Sequence, residues 1–130
     1  MTHYLTRADV TAIIQVVLPS TTAMRDVGLL QAALLRPQTT VFGEDAYPDL
    51  WHKAAALMQS VVIGDPLSDG NKRLAWTSAR AFLRLNGEGF GPVDQNASYD
   101  LVIAVTTGEL VDIPEIAERL RGLVSPSSAP

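Results

Sequence analysis

The chain contains no cysteine, which excludes disulfides and thiolate metal ligands and fits a reducing compartment. Histidine is almost as scarce. Two histidines in 130 residues, without clustered ligand spacing, leave nothing from which to build a structural zinc site. Although 47% of the residues are hydrophobic, no continuous apolar run reaches the length of a membrane span. The opening Met-Thr-His-Tyr-Leu-Thr-Arg lacks a basic segment followed by an apolar stretch, so no secretory signal is read there and a cytoplasmic location is expected. Basic residues are few and scattered, ten against fourteen acidic ones, for a net charge of −4. A nucleic-acid binder presents a basic face, so neither nucleic acid nor membrane is expected as a partner. No internal repeat is visible, and the length fits one domain.

What the sequence does have is helical periodicity, and it predicts an all-α, compact single-domain bundle of about six helices over residues 1–124. Thr6-Arg7-Ala8-Asp9 reads as a cap, followed by Val10, Ile13, Ile14 and Val17 at helical spacing until Pro19. Asp26 caps a second helix, with Leu29, Leu30, Ala33 and Leu34 as its apolar stripe and Pro37 as its stop. Gln38 to Tyr47 reads as a loop. Pro48 opens a third helix in its first turn, Asp49 supports the dipole, and Gly64-Asp65-Pro66 breaks it. A fourth helix covers Lys72 to Asn86, with Leu74, Ala75, Ser78, Phe82 and Leu85 facing inward and Asn86-Gly87 as the stop. Two shorter helices are expected from about Ser98 to Thr107 and from Asp112 to about Leu123. A short hairpin within Gly87 to Asn96 is given little weight. The tail 125–130, Ser-Pro-Ser-Ser-Ala-Pro, is too polar and proline-rich to pack and is expected to be disordered.

The chemistry concentrates in Asp69-Gly70-Asn71-Lys72-Arg73, at the start of the fourth helix. A helix N-terminus carries unpaired N–H groups and partial positive charge. Gly70 lets the chain approach an anion closely, and Lys72 and Arg73 add cations that oppose the dipole unless an anion sits between them. Asp69 on the rim could hold Mg²⁺ bridging phosphate oxygens. Asn71 suits an oxygen whose charge grows during transfer. The same five residues also fit an ordinary turn with a solvated helix start.

The wider stretch Asp65-Pro-Leu-Ser-Asp-Gly-Asn-Lys-Arg73 resembles the Fic/Doc signature, His-x-Phe-x-(Asp/Asn)-(Gly/Ala)-Asn-Lys-Arg. Upstream, Arg25-Asp-Val-Gly-Leu-Leu30, Arg36-Pro37, Val41-Phe-Gly-Glu44, Tyr47-Pro48 and Lys53-Ala-Ala-Ala-Leu57 resemble the Doc (death on curing) toxin branch. Thr107-Gly-Glu-Leu110 and Ile116-Ala-Glu-Arg-Leu120 are similar to Doc C-termini. The resemblance implies a helical bundle and the toxin of a toxin–antitoxin pair. It implies a kinase that uses ATP or another nucleoside triphosphate, with Mg²⁺, to phosphorylate elongation factor Tu on a threonine and block translation. Most Fic relatives transfer AMP instead. A Phd-like antitoxin is implied as partner, its C-terminal segment folding over the cleft. By the same resemblance Gly70 and Asn71 belong to the anion hole, Lys72 and Arg73 hold the nucleotide phosphates, and Asp69 binds the metal.

Two positions depart from the signature. Asp65 stands where the family has its general-base histidine, and a carboxylate is shorter and a far weaker base at neutral pH. Impaired transfer on a preserved architecture is therefore expected. The alternatives are a catalytically dead nucleotide- or antitoxin-binding regulator, and a phosphate or AMP transferase in which Asp65 is the base. Leu67 replaces the motif phenylalanine as an apolar anchor. Elsewhere, Asp26 is read as a cap with Arg25 as a neighbouring surface base, and Lys53 as a core-edge side chain with its amine in solvent. Arg80 and Arg84 are read as solvated, and Trp51, Trp76, Phe82 and Phe90 as packing residues. His52 lies far from the phosphate turn, and His3 falls in a mobile terminus.

Overall fold

Helical spacing and local caps fix most elements of the computed structural model, which describes residues 1–124. The expected disordered tail lies outside the described residues. Helix α1 (Arg7–Val17) opens on a reciprocal cap: the Thr6 hydroxyl accepts the Asp9 N–H and the Asp9 carboxylate accepts the Thr6 N–H. Helix α2 (Val27–Leu35) is capped by Asp26, which accepts the Leu29 N–H at 3.0 Å. A single 3₁₀ turn, Arg36–Gln38, follows and contains Pro37. Helix α3 spans Leu50–Gly64, α4 Asn71–Leu85, α5 Gln95–Thr106 and α6 Ile113–Val124.

Several boundaries move for one reason, the identity of the capping residue. Asp49 is itself the N-cap of α3 and accepts the His52 N–H at 2.9 Å, so Pro48 lies outside the helix rather than in its first turn. Gly70 caps α4 in the left-handed conformation, which starts that helix at Asn71. Asp94 accepts the N–H groups of Asn96 and Ala97 and starts α5 upstream of Ser98.

The expected loop 38–47 contains a hairpin, β1 (Thr40–Val41) antiparallel to β2 (Glu44–Asp45), with Thr40 opposite Asp45. Phe42 and Gly43 at its tip both have positive φ, 52° and 82°, the signature of the tight turn that matches strand twist. The segment Gly87 to Asn96 contains no strand.

Helix α3 runs through the middle of the bundle and contacts α2, α4, α5 and α6. Trp51, Ala54, Ala55, Leu57, Met58, Val61 and Val62 are all buried, and so are the polar Lys53 and Gln59, so nearly every face of this helix is covered. On α4 the inward residues are Leu74, Ala75, Ser78, Ala79, Phe82 and Leu83, whereas Leu85 turns outward. Phe90 is exposed rather than packed.

Polar anchors hold the connections. Lys53 is buried, not solvated; its amine donates to the Asp45 carboxylate at 3.0 Å and to the Tyr47 carbonyl. Arg36 donates to the Tyr47 hydroxyl at 2.9 Å and to Gln59 at 2.7 Å, so two cations fasten the hairpin to α3. Arg80 donates to the carbonyls of Gly89 and Gly91, which orders the connection before α5. Burial pushes its guanidinium below the usual arginine value, and neighbouring Arg84 adds to that. His3 is fixed rather than free, exchanging hydrogen bonds of 2.7 and 2.8 Å with the Asn86 amide.

Candidate active site

The turn between α3 and α4 is closed by its own side chains. Asp65 ends α3 in the left-handed region (φ 54°), where aspartate is one of the tolerated residues, and its N–H donates to the Val61 carbonyl. Leu67 is 1% exposed, so it anchors the loop in the core as the apolar substitute expected at that position. Its N–H donates to Asn71 Oδ1 at 2.9 Å, while Asn71 Nδ2 donates to the Leu67 carbonyl at 3.0 Å and to the Asp65 carboxylate. Asn71 is thus a clamp across the turn as well as a polar group at its mouth.

Residues 23–26 brace the turn from outside. The N–H groups of Arg25 and Asp26 both donate to the Pro66 carbonyl, at 2.8 and 2.9 Å. Ser68 exchanges hydrogen bonds with Ala23 through its own N–H and its hydroxyl, both at 2.9 Å. Gly70 (φ 84°) faces Leu18, and a Cβ built there would stand 2.6 Å from a Leu18 methyl carbon. This position therefore needs glycine for its conformation and for its room. The Asp69 carboxylate accepts the Gly70 N–H at 2.8 Å. On the first turn of α4, Lys72 is exposed, and Arg73 donates to the Val17 carbonyl at the end of α1 at 3.2 Å.

These groups open into one cavity of about 670 Å³ between the loop after α1, the start of α4 and α5. All six residues singled out from the sequence (Asp65, Asp69, Gly70, Asn71, Lys72 and Arg73) line it. Trp76, expected only to pack, is half-buried and lines the same cavity with Ser98 and Tyr99 of α5. Sequence reasoning missed Arg25 as well. Read as a surface base, it stands 3.0 Å from the Asp65 carboxylate. Both oxygens of Asp65 thus have partners, Arg25 on one and Asn71 on the other. The only signal for Arg25 was its place in a Doc-like block, because a contact across distant segments leaves no trace in local spacing.

His52 is at the opposite end of α3 from Asp65, about 20 Å away at 1.5 Å per residue. Its ring pairs with Asp49 at 2.8 Å. Burial pushes the Asp49 carboxyl up, but hydrogen bonds and charge from His52 outweigh it, so the group sits below its ordinary value of 3.8. This pair belongs to the helix cap and not to the cavity.

Among the described residues no group of three or more His, Cys, Asp or Glu side chains could hold a metal. Mg²⁺ bound with phosphates needs only one or two protein carboxylates, the rest being phosphate oxygens and water. Asp69, a hard oxygen donor beside the helix N-terminus, fits that requirement, with Asp65 on the same cavity wall.

The model of the Fic/DOC family matches residues 4–83. The chain belongs to the Fic/DOC family. It is 44% identical over 126 residues to Toxin Doc of Mycolicibacterium smegmatis, an alignment covering 96% of each protein. It is also 34% identical over 100 residues to Protein kinase doc of Escherichia phage P1, covering 77% of this chain and 76% of that one. These likenesses make the chain a Doc-type toxin homologue within the family. The all-α bundle expected of such a homologue is the observed fold. No helix among the described residues is long and apolar enough to cross a membrane.

Proposed function

We propose that the chain is the toxin of a toxin–antitoxin pair on the Doc kinase scaffold, binding a nucleoside triphosphate in the cavity over α4 and directed at elongation factor Tu. The observation that carries this reading is the convergence of Gly70, Asn71, Lys72 and Arg73 at one helix N-terminus lining a nucleotide-sized cavity. Lys72 and Arg73 bind the phosphates, and the free N–H groups of the first turn of α4 face the transferred group. Asp69 would hold Mg²⁺, which when bound neutralises phosphate charge. The acceptor threonine oxygen forms its bond to the γ-phosphorus as the bond to the bridging β–γ oxygen breaks, and the threonine proton passes to the side chain at position 65.

That last step is where this chain is weak. The Asp65 carboxylate is bound by Arg25 and Asn71, and as a carboxylate it is a poor acceptor at neutral pH. The protein therefore transfers phosphate slowly while keeping nucleotide and antitoxin binding. The same observation favours one second reading, a binding regulator without turnover. A Phd-like antitoxin is the partner in either case.

Expression in a bacterial host tests the proposal. The Asp65→His variant is expected to arrest growth, the native chain to do so weakly or not at all, and a co-expressed Phd-like antitoxin to relieve the arrest. Two well-folded proteins that both leave growth untouched would contradict the toxin reading.

A further inference from the structure

Two carboxylates, Asp65 and Asp69, line the cavity that takes a polyanion on the reading above, and like charges there oppose phosphate binding. Their surroundings differ. Asp69 accepts a neutral backbone N–H, whereas Asp65 faces the guanidinium of Arg25 at 3.0 Å. Arg25 is tied to the turn by its main chain too, since its N–H and that of Asp26 share the Pro66 carbonyl. The cation is therefore placed by the same segment that braces the loop, although it does not itself line the cavity. The two side chains are 57% and 50% exposed, so the pair adds little to global stability. What it changes is local: where the carboxylate points and how much uncompensated charge the cavity presents.

We propose that Arg25 is a positioning residue of the site, holding Asp65 against Asn71 and neutralising it, so that an aspartate at position 65 is compatible with bound nucleotide phosphates. The inference rests on the nucleotide-binding reading. It gives Arg25 a task that a residue bracing the loop only through its main chain does not have, because the main-chain bonds survive a change of side chain.

Calorimetric titration of ATP with Mg²⁺ into the full chain tests it as a double-mutant cycle of native protein, Arg25→Gln, Asp65→Asn and the double variant. Arg25→Gln is expected to weaken binding by roughly three- to tenfold. The double variant is expected to return to within about twofold of the native protein, because neither charge then remains to be balanced. Arg25→Lys, which keeps the charge, recovers most of the loss. In nitrogen–proton spectra the Asn71 side-chain amide signals move in Arg25→Gln, reporting release of the carboxylate. An Arg25→Gln protein that binds ATP as the native one does, or a double variant as weak as Arg25→Gln, overturns the inference and leaves the nucleotide-binding reading intact. No ATP binding by any of the folded proteins overturns that reading, and the inference with it.

Discussion

At the scale of single residues, the turn is a set of side chains each doing two things. Asn71 joins Asp65 to Leu67 while it lines the cavity, and Asp69 holds the Gly70 N–H while it presents a carboxylate. Gly70 has the least latitude, because a side chain there meets both a left-handed backbone and Leu18. Gly70→Ala is expected to destabilise the fold by about 1–2 kcal/mol, the usual penalty of a Cβ in that conformation. Urea unfolding measures it, and nucleotide affinity should fall in parallel as the α4 N-terminus shifts. This much was legible in the sequence, since Asp69 to Arg73 are adjacent and their chemical types point to an anion. Arg25 was not, because its pairing with Asp65 depends on residues 23–26 crossing the loop.

At the scale of elements, caps decide where helices begin, and one cap carries a pH dependence. The Asp49 carboxyl titrates below its ordinary value in the folded protein because His52 stabilises the charged form. A group with a depressed folded pKa contributes stability that is present above its unfolded pKa and is lost as pH falls through the folded one. The native chain should therefore lose stability on acidification below about pH 4, and Asp49→Asn should show a flatter stability profile across that window. Thermal unfolding at a series of pH values checks this. The hairpin offers a second test. Lys53→Met keeps the buried stem but removes the amine that holds Asp45 and the Tyr47 carbonyl. Amides of residues 40–47 should then exchange with solvent about tenfold faster, with α3 protected as before. Neither feature was easy to read beforehand. Phenylalanine with positive φ is uncommon, which hid the turn at Phe42, and no local pattern says whether a lysine amine ends in water or on a carbonyl.

At the scale of the whole molecule, the fold serves to bring three distant stretches to one place: the loop after α1, the α3–α4 turn with the start of α4, and one face of α5. A central helix buried over most of its length makes this possible, because α2, α4, α5 and α6 each take their position from it. Helix number and order were legible from the 3.6-residue period, which survives in every amphipathic segment. The cavity was not, since its walls come from elements separated by most of the chain. On the proposed function, this scaffold retains a working phosphate cradle and lacks a competent proton acceptor at position 65. The most direct measurement is transfer of label from γ-³²P ATP with Mg²⁺ to elongation factor Tu, comparing the native chain with Asp65→His. Label incorporation by Asp65→His is expected at a rate about a hundred- to ten-thousandfold above the native chain, the usual worth of a general base. Equal rates from the two proteins, or no label with either, would contradict it.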